Sequence, residues 1–300
     1  MEAEKGRGRT SPNPLVGALI VDETGPEPIV LGRGHHARLG GDHAEVAALK
    51  DVGDRARGMT LYVTLEPCNH VGRTGRCTDA ILAAGIRRVV FAVRDPNPAV
   101  TGGGADRLRA AGIAVVEGVD AAACRQQNRG FFRVLSTGRP HVLMKAALSL
   151  DGRLAPMTGR APETSDEAGA THRAPIWLTG ATARRRVHEL RDGCDAILVG
   201  SGTVLADDPR LNVRLPEGVL RPRENGGPLR VVVDGRLRTP RAAQLLGPGA
   251  LIVTTAAAAQ AQPDAVGRLR DGGCEVLTLP TAGAAGGAQP RIDLGALLTL

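Results

Sequence analysis

Aromatic residues are nearly missing from this 300-residue chain: one Trp, one Tyr and three Phe make up 2% of it. Without stacking platforms, recognition of nucleic acid through its bases is disfavoured. The cores must instead be filled by Val, Leu, Ile and Ala, because 42% of the residues are nonetheless apolar, a fraction that excludes a disordered chain. No run approaches the ~18 apolar residues of a membrane span. The segment 1–10 is charged and lacks an apolar stretch, so neither a membrane partner nor a secretory leader is expected. Five cysteines, an odd number in no framework spacing, argue against a disulfide scaffold and for a reducing, cytoplasmic setting. The formal charge of +7 rests largely on scattered Arg, which suits a phosphorylated small molecule better than nucleic acid.

The length allows two domains, each with its own core. Short Val/Ile/Leu runs alternate with Ala-rich stretches of helical length, the pattern of an α/β fold. Strands are expected at 16–21, 59–64, 88–93 and 114–117, and helices at 44–50, 78–84, 105–111 and 121–129. Gly85 and Gly112 stand where left-handed C-caps belong. Ser136-Thr137-Gly138-Arg139-Pro140 reads as a linker, which sets a first domain at 1–138 and a second at 139–300. In the second, strands are expected at 142–147, 196–199, 229–233, 251–254 and 275–279, with a helix at 181–191. The stretch 153–175 reads as an unusually long mobile loop, and 256–261 and 282–289 as low-complexity surface. No internal repeat is found.

Four residues carry the chemistry: His43, Glu45, Cys68 and Cys77. The order follows the H-x-E…P-C-x-x-C signature of hydrolytic deaminases, with the cysteine spacing stretched. One imidazole and two thiolates make a three-ligand zinc set, which leaves a fourth position open for water and lowers the pKa of that water toward neutrality. In that signature the Glu is no ligand but the general acid and base. His43 and Glu45 open a helix, and consecutive residues in its first turn splay by about 100°, so one can face metal and the other substrate. Cys77 also precedes a helix start, where thiol pKa values fall. A structural zinc site with His70 as fourth ligand stays open at this point.

Beyond this quartet, Thr10-Ser11-Pro12-Asn13-Pro14-Leu15-Val16-Gly17, Gly40-Gly41-Asp42-His43-Ala44-Glu45 and the run from Thr64 to Cys77 resemble the bifunctional riboflavin-biosynthesis deaminase/reductase family. Asp95-Pro96-Asn97-Pro98, Lys145-Ala146-Ala147-Leu148-Ser149-Leu150-Asp151-Gly152 and Gly202-Thr203-Val204-Leu205-Ala206-Asp207-Asp208-Pro209 extend the resemblance over most of 8–240. The eight residues between Cys68 and Cys77 separate this family from deaminases with C-x-x-C. That insert adds His70, Arg73 and Arg76, donors suited to a substrate phosphate.

The resemblance implies a cytidine-deaminase-like α/β/α domain followed by a dihydrofolate-reductase-like α/β domain. It implies zinc-dependent hydrolytic deamination of 2,5-diamino-6-ribosylamino-4-pyrimidinone 5′-phosphate, then NADPH-dependent reduction of the ribosyl group to ribityl. Asn13, His36, His70 and Arg73 would touch the first substrate. Ala147, Trp177, Thr179, Thr203, Asp207 and Gly235 would border the cofactor, and Arg191, Leu211 and Arg214 the second substrate. Two departures accompany the match. Ala174-Pro175-Ile176 replaces the usual polar residues before Trp177, and Leu300 falls where the family continues into a strand and a glycine-rich, phosphate-binding loop. A reductase lacking its usual C-terminal part, with weak or no NADPH binding and an exposed apolar sheet edge, is the corresponding expectation. A deaminase with a defective reductase, a nucleic-acid base deaminase and a non-catalytic zinc-stabilised module are the alternatives. The oligomeric state, homo-oligomer included, is left open.

Overall fold

The computed structural model describes residues 2–70, 75–97, 103–154, 177–216, 226–282 and 291–299, and the backbone of 163–165 and 171–173. The chain forms two compact units, Met1–His141 and Val142–Leu300.

The first unit opens with a 3₁₀ turn, Glu2–Gly6, and the antiparallel pair β1 (Gly17–Asp22) and β2 (Ile29–His35). It continues through α1 (Ala44–Val52), β3 (Thr60–Leu65), α2 (Cys77–Ala83), β4 (Arg88–Val93), α3 (Gly104–Ala110), β5 (Ala114–Glu117), α4 (Ala121–Gln127) and α5 (Arg129–Thr137). The strands make one sheet in the order β2-β1-β3-β4-β5. β1 runs antiparallel to β3, and β3, β4 and β5 are parallel.

Successive side chains of a strand point to opposite faces, and the two faces bury different partners. Ile20, Leu61, Val89 and Phe91 pack on Ala44, Ala48, Ile81 and Leu108 of α1, α2 and α3. Ala92, which alternates with Phe91, packs together with the strand-end residues Leu65 and Val93 against Ala121, Cys124 and Phe132. Hence helices cover both faces of the sheet. Burial of Phe91, Leu61 and Ile20 contributes about 1.5–3 kcal/mol each. α1 lies so close to β2 that a Cβ on Gly34 would stand 2.2 Å from the Ala44 carbonyl oxygen, so only glycine admits the helix that carries Glu45.

The second unit has a hairpin of β6 (Glu163–Ser165) and β7 (Thr171–Arg173), then α6 (Ala181–Asp192), β8 (Ala196–Gly200), α7 (Ser201–Asp207), β9 (Leu229–Val233) and β10 (Ala250–Thr255). α8 (Ala256–Ala261), α9 (Pro263–Asp271), β11 (Glu275–Leu279), the short pair β12 (Thr281–Ala282) and β13 (Arg291–Ile292), and α10 (Leu294–Leu297) follow. The main sheet is all parallel, in the order β11-β10-β9-β8. One face buries Val232 and Ile252 with Val204, Leu211 and Leu245; the other buries Val231 and Val253 with Ile292.

Two expectations are corrected here, and a third, the surface segment 256–261, gains a conformation. The apolar run 142–147 is no strand: it stands exposed, with Met144 at 89%, and the sheet ends at β8 without pairing to it. A continuous apolar run suits a strand covered on both faces, and no described strand lies on the far side of β8 to supply that setting. The helix expected at 121–129 is two helices broken at Asn128, whose side chain is tied to a distant segment. Finally, 256–261 is helical, with the Thr255 hydroxyl accepting from the Ala258 amide at 3.1 Å as N-cap. Of the expected long loop, the described residues include the β6–β7 hairpin; 283–289 lie outside the described residues.

Candidate metal and substrate site

The sheet of the first unit delivers its chemistry at helix starts. His43 is the N-cap of α1, Glu45 lies in its first turn, Cys68 follows the end of β3, and Cys77 is the first residue of α2. His43 Nδ1 lies 3.2 Å from Cys77 Sγ and 3.4 Å from Cys68 Sγ. The three ligand atoms fall within 4.8 Å of one another, and they form the one such cluster among the described residues. His70 is not part of it. Its Nδ1 is buried without a partner among the described residues. An imidazole with two thiols gathered to this distance fits zinc, which takes nitrogen and sulfur donors tetrahedrally.

Burial sets the electrostatics. Glu45 is 3% exposed, and loss of solvent pushes its carboxyl up to about 7, opposed by a backbone amide and reinforced by Cys68. The Cys77 thiol beside Cys68 holds the Cys68 thiol well below its ordinary range, with His43 assisting, while Cys77 is pushed up in exchange. His43 is raised chiefly by its bond to Cys68. The cluster thus holds protons that a cation would displace.

Beside it, His36 Nδ1 lies 2.9 Å from the Asp42 carbonyl oxygen, and its Nε2 lies 3.2 Å from Asn13 Nδ2. A carbonyl only accepts, so Nδ1 carries the proton. Burial lowers the pKa of this ring, so the neutral form places an acceptor at Nε2 and Asn13 Nδ2 donates to it. The edge of the His36 ring meets His43 at 5.7 Å between centroids. The Asn13 turn is anchored again by Asn128, 5% exposed: its Oδ1 accepts from the Leu15 amide at 2.7 Å and its Nδ2 donates to the Leu15 carbonyl at 2.8 Å. Sequence reasoning missed Asn128; nothing in a helical stretch signals a partner 113 positions away. Asp95, noted in the sequence only as part of a motif, carries a carboxyl raised chiefly by burial, with Glu66 and Cys68 adding to the rise. Arg73 lies outside the described residues.

In the second unit, Thr203 lies in the first turn of α7 directly after β8, and Gly235 follows the neighbouring β9, so both stand at the carboxyl edge of the parallel sheet, whereas Asp207 is the last residue of α7. Ligands of open α/β sheets bind at that edge. There Gly200 and Gly202 leave open space, and two buried polar atoms, Asp234 Oδ1 and Thr254 Oγ1, have no partner among the described residues, which fits a polar cofactor. Trp177 and Thr179 are joined through Arg184, whose guanidinium lies 4.5 Å above the Trp177 ring and donates to the Thr179 carbonyl at 2.6 Å. Ala147, in the exposed stretch before them, is not brought to the edge by any described strand. Arg191 Nη1 donates to the Asn212 carbonyl at 3.2 Å, and the Arg214 amide donates to His188 Nδ1 at 3.1 Å, which gathers Arg191, Leu211, Arg214 and His188. Arg191 is lowered by burial and then by Arg214.

Comparison with known proteins bears on both units. The model of the RibD C-terminal domain matches residues 140–299, and that of the cytidine and deoxycytidylate deaminase zinc-binding region matches residues 1–93. The riboflavin biosynthesis protein RibD of Aquifex aeolicus is 43% identical over 244 residues, 81% of this chain and 62% of that protein. That of Bacillus amyloliquefaciens is 40% identical over 279 residues, 93% of this chain and 69% of that protein. Among solved structures, Acinetobacter baumannii RibD superposes with a TM-score of 0.75 at 35% identity, covering 99% of this chain and 73% of that one. A deaminase/reductase from Thermotoga maritima gives 0.67 at 32% identity, covering 93% and 78%. The chain spans 62% and 61% of the lengths of the Aquifex aeolicus and Escherichia coli relatives.

Proposed function

The chain belongs to the RibD family, and from that premise we propose that it is a bifunctional enzyme of riboflavin biosynthesis. Residues 1–138 form its deaminase domain and 139–300 its reductase domain. The observation that carries the reading is the convergence of His43, Cys68 and Cys77 beside a buried glutamate. The substrate is 2,5-diamino-6-ribosylamino-4-pyrimidinone 5′-phosphate, which takes up water and releases ammonia. Zinc held by His43, Cys68 and Cys77 supplies Lewis acidity and a water ionisable near neutral pH. Glu45 takes one proton of the attacking water and delivers it to the ring nitrogen, then takes the remaining hydroxyl proton and delivers it to the amine, which departs as ammonia as the carbonyl forms, so one group serves as base and acid. A carboxyl pushed up to about 7 by burial suits both directions. His36 turns the Asn13 amide so that Oδ1 can accept from the pyrimidine, and His70 and Arg73 meet the phosphate end.

The second domain would hold NADPH, which would serve there as hydride donor for the reduction of ribosyl to ribityl. Ala147, Trp177, Thr179, Thr203, Asp207 and Gly235 border the cofactor, and Arg191, Leu211 and Arg214 take the phosphorylated substrate. The protein needs no nucleic-acid partner and works in the cytoplasm; no helix among the described residues is long and apolar enough to cross a membrane. A deaminase without reductase activity is the second reading, favoured by the exposed run 142–150 that keeps Ala147 from the sheet. Two assays on the full chain test these readings. Ammonia release from the diaminopyrimidine phosphate should vanish on zinc chelation and return on zinc addition; release that survives chelation contradicts the first activity. NADPH oxidation with the deaminated product separates the bifunctional reading from the second one.

A further inference from the structure

Arg107 lies on α3, away from the deaminase motifs, yet its guanidinium reaches both ends of the segment joining the two cysteines. Nη1 donates to Asn69 Oδ1 at 2.9 Å and to Thr78 Oγ1 at 3.0 Å, and Nη2 donates to Asp79 Oδ1 at 2.5 Å. Asn69 follows Cys68, and Thr78 and Asp79 follow Cys77. The Thr78 hydroxyl, fully buried, donates in turn to Asn69 Oδ1 at 3.0 Å, and the Thr78 amide donates to the Cys68 carbonyl at 3.2 Å. The helix itself is seated on the same stretch. The Ala105 amide donates to Glu66 Oε1 at 3.0 Å, and a Cβ on Gly104 would lie 1.9 Å from the Pro67 carbonyl oxygen.

We propose that Arg107 is a positioning residue of the metal site, clamping the residues that follow the two cysteines so that both thiols stay at ligating distance. The inference rests on the metal reading of His43, Cys68 and Cys77. Its physical ground is the spacing. Cysteines with two intervening residues are held by one tight turn, whereas eight intervening residues leave a loop whose closure costs more conformational entropy. A clamp at the two ends of that loop restores the register. The exposed pair with Asp79 contributes little to this, because solvent screens it. The shielded bonds to Asn69 and Thr78 carry the effect.

The test is zinc affinity of the full chain, read by competition with a chromophoric chelator, for wild type, Arg107→Ala, Arg107→Lys and Asn69→Ala. Removal of groups that orient metal ligands weakens binding by about 10–100-fold, and that loss is expected for Arg107→Ala. Lysine, whose donors all sit on one nitrogen, lacks the fork that reaches from Nη1 and Nη2 and should recover only part of it. Asn69→Ala should weaken binding too, and the double variant by less than the product of the two. Asp79→Ala should stay within about twofold of wild type. Melting of the metal-free proteins guards against a purely structural effect, since the clamp predicts affinity loss with little change there. If wild type binds zinc and Arg107→Ala binds it as tightly, the clamp is overturned and the metal reading stands. If wild type binds none, both fall.

Discussion

The two units place their chemistry differently. In the first, the start of α1, the loop after β3 and the start of α2 bring His43, Cys68 and Cys77 within 4.8 Å, beside a carboxyl that is 3% exposed. In the second, the residues assigned to cofactor and substrate are spread along a sheet edge, across α6 and α7, and into a stretch that the sheet does not pair. The contrast follows from ligand size. A metal ion needs a few donors at helix starts, and short motifs encode those. A dinucleotide spans many residues, so its site depends on how distant segments assemble.

The sharpest way to break this contrast is Glu45→Gln. Deamination should fall by about 10²–10⁴-fold, the range for loss of a general acid/base, with zinc content unchanged and any NADPH oxidation by the second unit untouched. Metal content and both activities from one preparation check it. In the other unit, Arg191→Ala should raise the KM of the phosphorylated reductase substrate by about 10–100-fold, the equivalent of one charged hydrogen bond, and leave ammonia release alone. Equal damage to both activities would mean that the units do not divide the chemistry. Asn128→Ala should lower stability by about 1–3 kcal/mol in denaturant unfolding, since both buried polar groups of Leu15 lose their partner. It should also raise the deaminase KM through the Asn13 turn.

The smallest effect concerns pH. Glu23 accepts from Thr60 Oγ1 at 2.6 Å and from the Tyr62 hydroxyl, and these bonds hold its carboxyl below the ordinary 4.5. A carboxyl lowered in the folded state contributes stability above its unfolded value and loses it as the pH falls through the folded value. The melting temperature of Glu23→Gln should therefore trail wild type at pH 7, with the gap closing in acid; a gap that widens in acid would contradict the assignment.

Much of this was legible in the chain itself, for physical reasons that differ by residue. The strand at Arg88–Val93 and the helix starts at Ala44 and Cys77 are local: apolar runs and Ala-rich segments announce them. β2 was not, because Gly32 and Gly34, required by the approach of α1, interrupt its apolar alternation. α5 and α9 went unread as well, although Pro263 at the start of α9 is a usual first-turn signal. The break at Asn128 and the reach of Arg107 are set by partners distant in sequence. The run 142–147 carries strand character without a partner strand among the described residues, and pairing cannot be read from one segment.

The central claim is that His43, Cys68 and Cys77 hold a catalytic zinc. X-ray absorption at the zinc edge of the loaded full chain tests it most directly. The account predicts two sulfur ligands at about 2.3 Å, one imidazole nitrogen and one further light atom. A second imidazole in the shell, or fewer than two sulfurs, would contradict it.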